Sequence, residues 1–153
     1  MIGEVIYRIA KIEDAPELKL LNDLFNGENS NSVGNIKEGI ARDDAETVFV
    51  AETDEKLIGF CCGQLLRSIC YSVFYVEITE IFIDEAFQHK GIGKGLLHFA
   101  EEWYRGNNIH DFQLFTGLNN VKAQLFYERN NYHKENDILY RKRDVGFLKQ
   151  TSN

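Results

Sequence analysis

The chain has no apolar run approaching the roughly 18 residues of a membrane-crossing helix. It also lacks a charged-then-apolar leader, because Glu4 interrupts the start almost at once; no secretory signal is expected. Cysteine is scarce, with Cys61 and Cys62 adjacent and Cys70 apart. There is no Cys-x-x-Cys pair and no histidine at zinc spacing, so neither a metal centre nor a disulfide framework is expected. Such cysteines pack as small hydrophobes and fit a reduced compartment, which points to the cytoplasm. Positive charge is short as well. Seventeen Lys and Arg against 24 Asp and Glu give a net charge of −7. Nucleic acid and anionic membranes are therefore poor partners, whereas cationic partners are favoured.

What is present suits one globular domain. The 153 residues are 44% hydrophobic and 27% charged, and a chain of this length buries roughly 68–70% of its unfolded surface. We expect the domain over residues 1–146 and a polar tail over 147–153. Val5 to Ala10 reads as a strand. Asp14, Pro16 and Glu17 form a helix start, with Leu18, Leu21, Leu24 and Phe25 as its apolar face. A loop rich in Asn, Ser and Gly follows from Asn26 to Gly34, and Ser32 is placed to cap a second, short helix. Thr47–Ala51 and Lys56–Leu66 read as strands around a polar turn, and Val73–Asp84 as a long strand. After it come a helix from Ile92, a strand at Phe112–Thr116, a helix over Asn120–Asn130 and a last strand around Ile138–Arg143. Short turns early and a strand-helix-strand later predict a mixed sheet with an antiparallel first half and helices on both faces.

Chemistry concentrates where the long strand meets the next helix, at Gln88-His89-Lys90-Gly91-Ile92-Gly93-Lys94. A strand, a glycine turn and a helix start in that order direct first-turn N–H groups and the positive helix end at an anion. Gly91 and Gly93 allow close backbone approach, and His89 can donate to the same ligand. A Walker A loop is excluded, since Gly95 follows Lys94 where Ser or Thr is required. A dinucleotide fingerprint is excluded because Leu96 occupies the third glycine slot and Asp111 precedes the next strand.

The remaining pattern, Gln-x-x-Gly-x-Gly after a strand, resembles the pyrophosphate loop of the GCN5-related N-acetyltransferases (GNAT). A second stretch, Asn120-x-x-Ala123-x-x-Phe126-Tyr127, is similar to the same family's other hallmark and lies after the following strand. The resemblance is specific between Tyr75 and Tyr132 and extends in outline from Val5 to Arg143. Glu85 replaces a common proline. Asn131 replaces the glycine that usually ends the last helix, and Asn is the next best residue for that left-handed position.

The resemblance implies a three-layer α/β (mixed α+β) fold and acetyl-CoA as cosubstrate, with no metal. Backbone groups of Ile81, Phe82 and Ile83 would line the pantetheine arm, and Gln88 through Lys94 would hold the pyrophosphate. Asn120 would cap its helix and, with Ala123 and Phe126, belong to the cofactor side. Tyr127 would act as general acid toward the departing thiolate. A base must take the proton of an ammonium that titrates near ~10, and Glu77 and Glu80 both qualify by position. Strand alternation places the two on opposite faces unless a bulge intervenes. The acceptor expected is a small cationic amine, such as an aminoglycoside or a polyamine. Acids in or near Asn22–Arg42 (Asp23, Glu28, Glu38, Asp43 and Asp44) and Glu135 and Asp137 later would suit it. A protein amino group and a non-catalytic acyl-CoA-binding module stand as alternatives, and the family allows a homodimer.

Overall fold

A computed structural model describes residues 2–42, 45–144 and 146. The expected tail at 147–153 and the acids Asp43 and Asp44 lie outside the described residues. The chain divides into two compact units, one to Phe115 and one from Thr116, and each is described in turn.

The first unit is a sheet of five strands in the order β1-β2-β3-β4-β5. They span Ile6–Ile9, Glu46–Thr53, Lys56–Leu66, Tyr75–Ile83 and Phe112–Leu114. The first four run antiparallel, and β5 lies parallel to β4. Helices α1 (Ala15–Asn26) and α2 (Val33–Ala41) follow β1, and α3 (Ile92–Gly106) connects β4 to β5. Alternation along β2 divides the core. Val48 and Val50 pack with Leu18, Leu21, Phe25, Ile36 and Ile40 of α1 and α2. Phe49 turns to the other face and meets Trp103 and Tyr104 of α3, at ring-centroid distances of 5.6 and 5.7 Å. This is the mixed sheet covered on both faces that the sequence predicts. Fully burying each such side chain contributes about 1.5–3 kcal/mol.

Local signals act mostly as expected. The β2–β3 turn places Asp54 and Glu55 at φ +49° and +61°, the pair of left-handed residues that a tight hairpin requires. The Ser32 hydroxyl accepts from the Asn35 N–H and caps α2. Asp14 differs from expectation. Its carboxylate does not cap α1 but accepts two bonds from the Arg8 guanidinium, at 2.7 and 2.9 Å, and one from the Lys11 N–H. A cation on the preceding strand outcompetes the local helix end. Hydrogen bonds from Arg8 hold the Asp14 carboxyl below its ordinary range, and Glu52 shares the same guanidinium.

The second unit contains α4 (Val121–Arg129). The expected strand at Ile138–Arg143 is not formed: no ladder among the described residues includes it. Ile138, Leu139 and Tyr140 are exposed. Their apolar, strand-favouring character is a packing preference that needs a partner strand to be realised.

Candidate functional site

In the first unit the site is built around an irregularity in β4. Glu77 pairs with Gln64, Ile78 with Gly63 and Glu80 with Cys62, so Thr79 has no rung of its own. This bulge changes the side-chain count. Gln64 and Cys62 are two apart on β3 and point to one face, so Glu77 and Glu80, three apart in sequence, point to one face too. That face is the one α1 and α2 cover, because Cys62 and Phe82 join the α1–α2 core.

Two further residues complete a row that local sequence patterns do not announce. Glu46 on β2 lies opposite Gln64, and Gln113 on β5 lies opposite Glu77. Read across four strands, the row is Glu46, Gln64, Glu77, Gln113. The Gln64 amide donates to Glu46 at 2.9 Å, and the Gln113 amide donates to Glu77 at 3.2 Å. Glu80 lies one alternation further along β4. Among the described residues none of the three carboxylates forms an ion pair. Burial raises the Glu80 carboxyl above its ordinary value, the charge of Glu46 raises it further, and a hydrogen bond from Asn26 at the end of α1 acts the other way. Electrostatically, this is a patch short of positive charge.

The opposite edge of β4 opens beside this patch. Pairing with β5 covers only Val76 to Ile78. From Glu80 to Ile83 the strand pairs with β3 alone among the described residues, leaving backbone groups on that edge, apart from the Ile83 carbonyl that Gln88 takes, available to an extended ligand. The residues expected to line a pantetheine arm, Ile81, Phe82 and Ile83, lie in this stretch.

The glycine loop closes the same end of the strand. Gln88 turns back and donates its amide to the Ile83 carbonyl at 2.8 Å, tying loop to strand. Lys90 donates to the Ala86 carbonyl, and His89 and Gly91 adopt left-handed conformations at φ +61° and +79°. Gly91 is the N-cap of α3, and no side chain caps the helix. The first helical bond runs from the Gly95 N–H to the Gly91 carbonyl. The N–H groups of Ile92, Gly93 and Lys94 precede it and have no carbonyl within the helix to bond. A glycine cap thus leaves the positive helix end open, as an anion site requires.

In the second unit the Asn120 side chain accepts from the Ala123 N–H at 3.2 Å and caps α4 as expected. Tyr127 is half-buried, its ring 5.3 Å from that of Phe126 and 5.9 Å from that of Tyr132. The helix ends in a Schellman pattern. The Tyr132 N–H bonds the Tyr127 carbonyl, the Asn131 N–H bonds that of Glu128, and Asn131 takes φ +69°. Asn131 therefore does the work of the expected glycine and brings Tyr132 against Tyr127.

The acids around Asn22–Arg42 are less uniform than the sequence suggests. Asp23 is paired with Lys19 at 2.6 Å and also accepts from the Asn29 N–H. With Glu28, Leu20, Leu24 and Asn29 it lines an open surface hollow. Glu38, Glu135 and Asp137 are exposed.

Residues 9–132 match the model of the acetyltransferase (GNAT) family, and the chain belongs to that family. The match crosses both units. An uncharacterised N-acetyltransferase of Methanocaldococcus jannaschii is 33% identical over 87 residues, covering 56% of this chain and 38% of that protein. The matched stretch spans about half the length of the curated relatives. Two solved structures illustrate the shared fold. The aminoglycoside acetyltransferase AAC(6')-Iy, in complex with a CoA-containing bisubstrate analogue, has a TM-score of 0.80 at 21% identity, covering 93% of this chain and all of that one. A ribosomal-protein-alanine N-acetyltransferase from Brucella melitensis has a TM-score of 0.76 at 18% identity, covering 92% of this chain and all of that one.

Proposed function

We propose that this protein transfers the acetyl group of acetyl-CoA to a primary amine of a small cationic acceptor, by direct attack in a ternary complex. The observation that carries the acceptor class is the placement of Glu46, Glu77 and Glu80 on one face of the sheet without a cationic partner among the described residues. A cation arriving there supplies the charge that the protein withholds. Aminoglycosides and polyamines have that chemistry.

Each residue then has a task. Backbone donors from Gln88 to Lys94 hold the pyrophosphate, and the open edge from Glu80 to Ile83 receives the pantetheine as an added strand. A backbone N–H of that edge stabilises the oxyanion as the amine adds to the thioester carbonyl. Glu80 takes the ammonium proton before the attack; burial raises its carboxyl above the ordinary value, which suits a base. Glu77, held by Gln113, contributes charge to the acceptor side. Tyr127 gives a proton to the CoA thiolate when the tetrahedral intermediate collapses. The free cysteines suit a reducing compartment, and we place the reaction in the cytoplasm.

The test is thiol release from acetyl-CoA against polyamines, aminoglycosides, single amino acids and a lysine peptide. Release confined to polycationic small amines is the expected result. Release with the lysine peptide alone would replace the acceptor class by a protein amino group. Binding of acetyl-CoA without release for any amine would favour a non-catalytic acyl-CoA module.

A further inference from the structure

The row across the sheet does more than collect charge: its two amides pull its two carboxylates the same way, toward β5, with opposite consequences for Glu80 on β4. Gln113 is on β5, so its bond to Glu77 draws that carboxylate toward the edge of the sheet, away from β3. Gln64 is on β3, and its bond draws Glu46 inward from β2 toward β4. Glu80 stands opposite Cys62, two residues along β3 from Gln64 on the same face. Of the two other carboxylates in the patch, the one on the distant strand is therefore steered toward Glu80, and the one on its own strand is steered off. The electrostatics follow this geometry: Glu46 acts on Glu80 through its charge.

We propose that Glu46 is a positioning residue for the transfer: held across β3 by Gln64, it makes Glu80 a stronger base for the proton that the acceptor ammonium must lose. The inference rests on the reading of Glu80 as the base. In the step concerned, the ammonium N–H bond breaks, the proton passes to a Glu80 carboxylate oxygen, and the freed nitrogen lone pair attacks the thioester. An ammonium near ~10 and an ordinary carboxylic acid near ~4.3 are far apart, so any rise in proton affinity at Glu80 reduces the cost of that transfer. The titratable groups nearest Glu80 on its face are Glu46 from β2, Cys62 from β3 and Glu77 from β4; Arg8 of β1 is on the same face but is held by Asp14 and Glu52. From the covering helices, α1 brings the neutral amide of Asn26, and α2 brings the apolar side chains of Ile36 and Ile40. A like charge held near a carboxylate opposes its ionisation, and here that opposition is useful.

The experiment follows the Glu80 carboxyl carbon by NMR through a pH titration of the whole chain, its signal assigned by its loss in Glu80→Gln. In Glu46→Gln the Glu80 titration is expected at lower pH than in wild type, with partial return in Glu46→Asp. Gln64→Met, which releases Glu46 without removing its charge, is expected to move it the same way. In parallel, kcat should fall in Glu46→Gln by less than the ~10²-fold or more that losing a base costs, and the acidic limb of its pH profile should shift downward. An unmoved Glu80 titration in both Glu46→Gln and Gln64→Met overturns the inference. Near-wild-type kcat in Glu80→Gln overturns the base reading instead, whatever the titration does.

Discussion

Replacing Gly63 with alanine tests how the site's irregular strand is held in place. Gly63 pairs with Ile78, on the rung next to the bulge, between the rungs of Glu77 and Glu80. A Cβ added there falls on the Tyr104 hydroxyl and lies 2.9 and 3.0 Å from two carbons of its ring. Tyr104 is 2% exposed, and rings of Phe49, Trp103 and Phe112 surround it at centroid distances of 5.7, 5.0 and 6.3 Å. Burial pushes its phenol up to about 12. A ring boxed in this way has no empty space to swing into, so either α3 or β3 must shift. Overpacking of a filled core costs about 1–3 kcal/mol, and the enclosure of Tyr104 places this variant in the upper half of that range. For a chain of this size that corresponds to a Tm lower by about 4–10 °C.

The assay is thermal and urea unfolding followed by far-ultraviolet circular dichroism, with the urea midpoint falling and its slope unchanged. Combining Gly63→Ala with Tyr104→Phe removes the nearest clashing atom, so the double variant should recover part of the loss; the two sites are in contact and their effects should not add. If β3 moves, the rungs of Glu77 and Glu80 move with it, and acetyl transfer should fall as well. A Gly63→Ala protein with wild-type Tm would show that Tyr104 is not seated against β3. The account of the bulge's support would then be wrong.

Tyr127→Phe should lower kcat by about 10²–10³, within the range for a general acid, with acetyl-CoA affinity little changed; wild-type turnover would remove the phenol from the mechanism. Asp14→Asn should cost about 1.5–3 kcal/mol at pH 7, since charge-assisted bonds to Arg8 are lost. The Asp14 carboxyl is depressed in the fold, so this stability is present above the unfolded value near ~3.9 and disappears as pH falls through the folded value. Melting curves of wild type and variant should therefore converge in acid. Glu80→Gln should have the opposite sign. Its carboxyl is raised in the fold, so the native state holds the proton more firmly than the unfolded chain, and stability is lost as pH rises from about 4.3 through the folded value. The variant should melt higher than wild type at neutral pH while losing activity, and an unchanged or lower Tm there would contradict the placement of Glu80.

The order of elements was legible because periodicity and turn chemistry are local. The strand from Lys56 to Leu66 has the expected limits, Ser32 and Asn120 cap their helices, and Asn131 takes the left-handed cap that a glycine would otherwise fill. What escaped depends on partners outside the element that carries the signal. Asp14 reads as a cap until Arg8 is brought beside it. Ile138-Leu139-Tyr140 reads as a strand because propensity does not reveal whether another strand is available. Glu46, Gln64 and Gln113 carry no motif and become a row only through register across four strands. The loop and helix motifs gave Gln88–Lys94 and Asn120–Tyr127, but the acidic patch required knowing that Thr79 is skipped.

That skipped residue links the separate parts of the first unit. Without the bulge, Glu77 and Glu80 would alternate to opposite faces, and one would meet the apolar cluster packed by α3, where an unpaired carboxylate is costly. With it, both carboxylates face the same side. The bulge also bends and twists β4 where its pairing with β5 stops at Ile78, which is how such insertions end a ladder. One extra residue thus provides both the open edge proposed for the thioester and the acidic face proposed for the amine, and it places the two beside each other on one strand. Direct attack requires that adjacency, because a base held on a different element would need a separate means of fixing its distance to the thioester.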